Sequence, residues 1–217
     1  MKKPVNKILV ILALLLPFSA QASYLSIVDG SEVQITGYYN PSPAITGPYT
    51  EGTLGKLNAL SNGVFSATYL GQESGYNTGF SFEKTGYRLG KAINSQTANY
   101  DIALNEYSTI GHTIYTDVLS GILDFWFRDD HGGYVGNDGL KYRKGSSFAI
   151  LEADKCITTY GCFNYILGFD DSGGGLDRDY DDFVVGVNLS PVPLPAAVWL
   201  FASALMGFVV LSNRRKV

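Results

Sequence analysis

Basic residues are scarce away from the two ends of this chain. Of its 16 lysines and arginines, six lie in the terminal stretches and ten between Ser23 and Ser190, whereas all 20 acidic residues lie in that middle. The middle therefore carries about −10, against −4 for the whole chain. Such a charge disfavours nucleic acid and anionic membrane surfaces as partners and favours cations. Histidines and cysteines number two each. Two cysteines without nearby histidines make an incomplete zinc site. No internal repeat is visible, which counts against a propeller or solenoid. No Gly-x-Ser-x-Gly element or other nucleophile signature is present. Sustained helical periodicity is also lacking, and no apolar run is long enough for a comfortable membrane span.

What is present first shows at the ends. Lys2, Lys3 and Lys7 precede the apolar run Ile8–Leu16, which Pro17 breaks, and Ala20-Gln21-Ala22 follows. This is the layout of a secretory signal peptide over residues 1–22, cut by signal peptidase near Ser23. At the other end, residues 196–211 are apolar apart from Ser203 and Gly207. As a helix they would reach roughly 24 Å, a marginal span of a ~30 Å hydrocarbon core. Arg214, Arg215 and Lys216 follow, a cluster that holds its end on the cytoplasmic side of the inner membrane. Ser190-Pro191-Val192-Pro193 reads as a stiff linker into this tail.

Pro193-Leu194-Pro195, the apolar helix with Trp199, and Asn213-Arg214-Arg215-Lys216 together resemble the PEP-CTERM sorting signal of Gram-negative bacteria. Leu194 stands where the name-giving motif has Glu. The resemblance covers only residues 191–217. It implies recognition by an exosortase, removal of the tail, and delivery to the cell surface or extracellular polysaccharide matrix.

Between the signals, residues 23–190 show short alternating or apolar runs separated by Gly, Asn, Ser and Asp clusters. The runs are Tyr24–Val28, Val33–Tyr39, Val64–Leu70, His112–Tyr115, Gly121–Phe127, Ser147–Glu152, Tyr165–Phe169 and Phe183–Val187. This spacing predicts an all-β domain, an antiparallel β-sandwich or jelly roll, and the length suffices for a two-sheet core. Leu89–Tyr107 is the least patterned segment and leaves room for a short helix. Cys156 and Cys162 flank a five-residue stretch that looks like a hairpin turn. In an oxidising compartment such a pair closes into a disulfide.

The most informative segment carries six aspartates within thirteen residues: Asp170, Asp171, Asp177, Asp179, Asp181 and Asp182. Alternation would place Asp177, Asp179 and Asp181 on one face of an extended chain, with Arg178, Tyr180 and Asp182 opposite. Gly173–Gly175 would let the backbone return Asp170 and Asp171 toward them. Crowded carboxylates repel unless neutralised, and oxygen-only ligands on a flexible loop suit Ca²⁺ better than Mg²⁺. The segment is neither an EF-hand loop, because Asp182 and Asn188 stand where Gly and Glu are required, nor a repeated calcium nonapeptide.

Phe169-Asp170-Asp171, the glycine-rich gap and Asp177-Arg-Asp179-Tyr180-Asp181-Asp182-Phe183 resemble a family of secreted bacterial β-domains of unknown function. The likeness in layout runs from about Ile122 to Val187. It implies a calcium-associated surface module without catalytic activity.

A second loop follows the run ending at Phe127. It holds Asp129, Asp130, His131, Asn137 and Asp138, which suit either further calcium ligands or, with Trp126 and Tyr134, a sugar-binding surface. An ordinary β-connection is the competing expectation. Three functions are thus in view. The first is a non-enzymatic surface or matrix protein with a calcium-stabilised β-domain. The second is a carbohydrate-binding module for exopolysaccharide. The third is a secreted glycosidase with paired carboxylates.

Overall fold

The computed structural model describes residues 24–36, 49–74, 76–82, 103–105, 108–142, 146–157, 159–171, 178–192, 201 and 203–205. The expected signal-peptide segment 1–22, Asp177 and the expected sorting-motif residues Pro193, Leu194, Pro195, Arg214, Arg215 and Lys216 lie outside them. Of the expected apolar span 196–211, residues 201 and 203–205 are described, and they are helical. Among the described residues no helix is long and apolar enough to cross a membrane.

The described chain is mostly antiparallel β-sheet. Its strands are β1 (Leu25–Gln34), β2 (Glu51–Ala59), β3 (Gly63–Gly71), β4 (Gly79–Ser81), β5 (Ala103–Asn105), β6 (Thr113–Val118) and β7 (Gly121–Ile122). They continue with β8 (Trp126–Arg128), β9 (Tyr134–Gly136), β10 (Lys141–Tyr142), β11 (Ser147–Ile157), β12 (Gly161–Asp170) and β13 (Phe183–Pro191). The larger sheet runs β1-β2-β11-β12-β13-β3-β6, with β7 also paired to β2. The smaller sheet runs β10-β9-β8-β4-β5.

The expected strand pattern needs correction at Gly121–Phe127 and lacks β2. Gly121–Phe127 is not one strand. Gly121–Ile122 pairs with β2 in the larger sheet, whereas Trp126 and Phe127 pair with β4 and β9 in the smaller one. The chain changes sheet over residues 123–125, and a run that is apolar apart from Asp124 hides such a crossing. β2 was not anticipated, because its two glycines and its lysine dilute the apolar alternation. Of Leu89–Tyr107 only residues 103–105 are described, and they form strand β5, so the expectation of a short helix there lies outside the described residues.

Phenylalanines from both sheets meet in one core. Phe127 of the smaller sheet stacks on Phe169 with ring centroids 5.4 Å apart, and lies 5.7 Å from Phe148. Phe65, Phe80, Phe125 and Phe183 are also fully buried there. Burying each such ring contributes about 1.5–3 kcal/mol, before the smaller gain of aromatic pairing.

The other face of the larger sheet is also covered. Leu70, Ala149, Leu151, Phe163, Ile166, Tyr180 and Val184 form a second apolar cluster. β12 and β13 are therefore buried on both faces, which explains why they read as nearly continuous apolar runs rather than alternating ones. Two glycines make the close fit possible. A Cβ at Gly186 would meet the Phe163 ring at 2.5 Å, and one at Gly168 would lie 2.1 Å from the Tyr180 carbonyl oxygen. The β11–β12 hairpin turns at Thr159 and Tyr160, and Cys156 faces Cys162 across it in a disulfide.

Candidate metal centre

The register of β3 against β13 builds the site. Val184 pairs with Gly71, so the chain leaving β3 runs on beside the residues approaching β13. The main-chain N–H of Glu73 donates to the carbonyl of Asp181 at 3.0 Å. The carboxylates of Glu73, Asp179 and Asp181 thereby converge, with one oxygen of each lying within 4.8 Å of the others. Asp179 and Asp181 are buried, and Glu73 is exposed at the mouth. Three carboxylate oxygens at this spacing suit a hard cation, which takes oxygen ligands alone. Oxygen chemistry does not by itself choose between Ca²⁺ and another hard ion.

Tyr180 separates the two aspartates. Its backbone is left-handed, with φ of 57°. Its ring is buried in the second apolar cluster, and its hydroxyl accepts from Ser147 at 3.2 Å. Asp179 and Asp181 therefore come to one side while Tyr180 anchors the loop on the other, as alternation anticipates, although the segment is not a strand. Asp182 does not simply continue the Tyr180 side. Its carboxylate accepts from the N–H of Asp171 at 2.7 Å.

The remaining aspartates form a neighbouring group. Asp170 and Asp171 are buried at the end of β12. Ser74 donates to the Asp171 carboxylate, and Thr78 donates to the Asp182 carbonyl at 3.0 Å. Burial is the main reason that the Asp182 carboxyl is pushed up to about 8, with Asp171, Asp170 and Asp181 adding to it and the Asp171 N–H opposing. Asp171 is raised in the same way, by burial first and then by Asp129 and Asp170, against the Ser74 and Asp182 hydrogen bonds. Negative charge is thus crowded here to the point where proton binding is favoured, and a cation relieves the same repulsion.

The second loop divides. Asp129 is buried, and its Oδ1 accepts from the N–H groups of His131 and Gly133 at 2.7 and 2.9 Å. Asp130 accepts from Asn77 and contacts His131 Nδ1 at 2.8 Å. Asn137 is better explained as a structural tether than as a ligand. Its amide nitrogen donates to the carbonyls of Leu57 and Leu123, each at 2.8 Å, and its oxygen accepts from Leu57 N–H at 2.7 Å. Asp138 accepts from Leu140 N–H in a local turn. Trp126, on which sugar stacking would depend, is only 5% exposed and donates to Asp124.

Glu73 was missed from sequence. It stands alone in the polar stretch Gln72-Glu73-Ser74, and only the β3–β13 pairing brings it to the aspartates. No protein-family model matches this chain, and neither curated proteins nor solved structures return a match.

Proposed function

We propose that this chain is an exported, non-enzymatic protein of the cell surface or extracellular matrix whose β-domain, a sandwich of jelly-roll type, binds Ca²⁺. The observation that carries the reading is the convergence of Glu73, Asp179 and Asp181 beside further buried aspartates. Two of the three belong to the acidic segment that sequence singles out. Three carboxylates meeting at one point suit a cation better than the facing pair a glycosidase uses. The buried state of Trp126 weighs against the carbohydrate-binding alternative. Export and sorting by an exosortase rest on the resemblance of residues 191–217 to a PEP-CTERM signal.

Calcium at Asp179 and Asp181 would hold the approach to β13 against the end of β3. Binding to the folded state alone adds about 2.7 kcal/mol at a hundredfold excess over Kd, which for a domain of this size is roughly 5–10 °C in Tm. Millimolar Ca²⁺ should raise the melting temperature of the purified protein by that order, EDTA should reverse it, and Glu73→Gln should blunt it. No shift in the wild type would refute the calcium reading. The export reading has its own check. Intact mass of protein recovered from native cells should place one cut near Ser23 and a second in the tail.

A further inference from the structure

We infer that a second cation seat lies between Asp129 and Ser146, facing Asp171, and that an ion there joins the two sheets. This rests on the reading above that the acidic region takes Ca²⁺. It names a centre separate from Glu73, Asp179 and Asp181.

The placement follows from strand periodicity. Phe127, Phe148 and Phe169 stack as one layer of the core. Successive side chains alternate between faces, so residues two positions along continue the same layer. Asp129 lies two beyond Phe127, Ser146 two before Phe148, and Asp171 two after Phe169. Ser147 pairs with Asp170, which puts Ser146 and Asp171 at neighbouring positions just outside the β11–β12 ladder. Ser147 turns to Tyr180 on the far face, as the alternation requires of it. The aromatic layer is thus succeeded by a layer of two carboxylates and a hydroxyl, one carboxylate coming from the smaller sheet. Asp171 senses the charge of Asp129.

Ser146 points to a ligand independently of the acidic residues. It is fully buried, at 0% exposure, and its Oγ has no hydrogen-bond partner among the described residues. A buried hydroxyl left so destabilises the fold unless something is bound to it. Gly133 shows which oxygen lies beside the Ser146 hydroxyl. A Cβ there would lie 2.1 Å from Asp129 Oδ2 and 2.7 Å from Ser146 Oγ. Both oxygens therefore pack against Gly133 and close to one another, and a side chain at residue 133 would displace them. Gly133 is not among the residues with positive φ, so space rather than backbone conformation is what its glycine supplies there. Arg128 offsets part of the Asp129 charge, but the buried aspartates 129, 170 and 171 outnumber its single guanidinium.

The test is calcium stoichiometry on the full-length protein, by native mass spectrometry and titration calorimetry. Wild type should bind two Ca²⁺. Asp129→Asn, which keeps an acceptor for the His131 and Gly133 N–H groups, should bind one. Glu73→Gln should also bind one, retaining the seat at Asp129. Ser146→Ala should fold and weaken one site by about tenfold, as expected for losing a hydroxyl ligand. Gly133→Ala should disrupt the same site by displacing Asp129 Oδ2. Two ions bound by Asp129→Asn, or both lost together in Glu73→Gln, would overturn the second seat while leaving calcium binding in place. No ion bound by the wild type would overturn both readings.

Discussion

The N–H of Asp171 donates to the Asp182 carboxylate at 2.7 Å, tying the end of β12 to the start of β13 across the acidic segment. The bond favours ionised Asp182, yet burial and three neighbouring aspartates outweigh it and raise this carboxyl from 3.8 to about 8. The folded chain therefore holds a proton that the unfolded chain releases. Linkage then fixes the sign: the group's contribution to stability is complete below pH 4 and is lost as pH rises through about 8. In EDTA, denaturation from pH 5 to pH 8 should show wild type losing stability relative to Asp182→Asn, which cannot ionise. Parallel curves for the two proteins would refute the assignment.

Asn137 ties Leu57 of β2 to Leu123 on the crossing between sheets. Asn137→Ala leaves buried main-chain groups without partners and should cost about 2–3 kcal/mol in urea unfolding. Calcium stoichiometry should stay unchanged, because the amide serves the backbone. A lost calcium site with little lost stability would restore Asn137 to the ligand set.

Gly168 couples packing to the site. A Cβ there collides with the Tyr180 carbonyl, and Tyr180 stands between Asp179 and Asp181. Gly168→Ala should destabilise the fold by about 1–3 kcal/mol and also weaken calcium binding, although residue 168 carries no ligand. Gly186→Ala, whose Cβ would meet the Phe163 ring, should cost similar stability with less effect on calcium. Titration of both variants under native conditions separates the two effects.

The Cys156–Cys162 disulfide closes a short loop at an exposed hairpin end. In the chain-entropy account such a loop is worth about 2–3 kcal/mol. The double serine variant should lose about that much in denaturant unfolding and keep its calcium affinity, since the bridge lies at the hairpin end opposite Ser146 and Asp171.

The central hairpin and β13 were legible because burial on both faces leaves an apolar run that needs little interpretation. Strands β2, β4 and β5 were not, being short or diluted by glycine and polar residues. The six aspartates marked the right region, but their partition did not show. Asp179 and Asp181 join Glu73, while Asp171 and Asp182 bond to each other. Glu73 and Ser146 carry no sequence signal of their own. Each gains its place from a strand partner more than 20 residues away, and one sequence without pairing information does not encode that neighbour locally.

β13, the last strand described, lies inside the larger sheet with hydrogen-bonded neighbours on both edges, and its end at Pro191 leads into the tail. Tension applied at that end would pull the strand lengthwise against both ladders at once. The bonds would be loaded together in shear instead of being peeled away singly from an edge. A domain moored through this end would meet mechanical load with a strand held along both edges, and a calcium ion at the head of that strand would bear on the force needed to extract it.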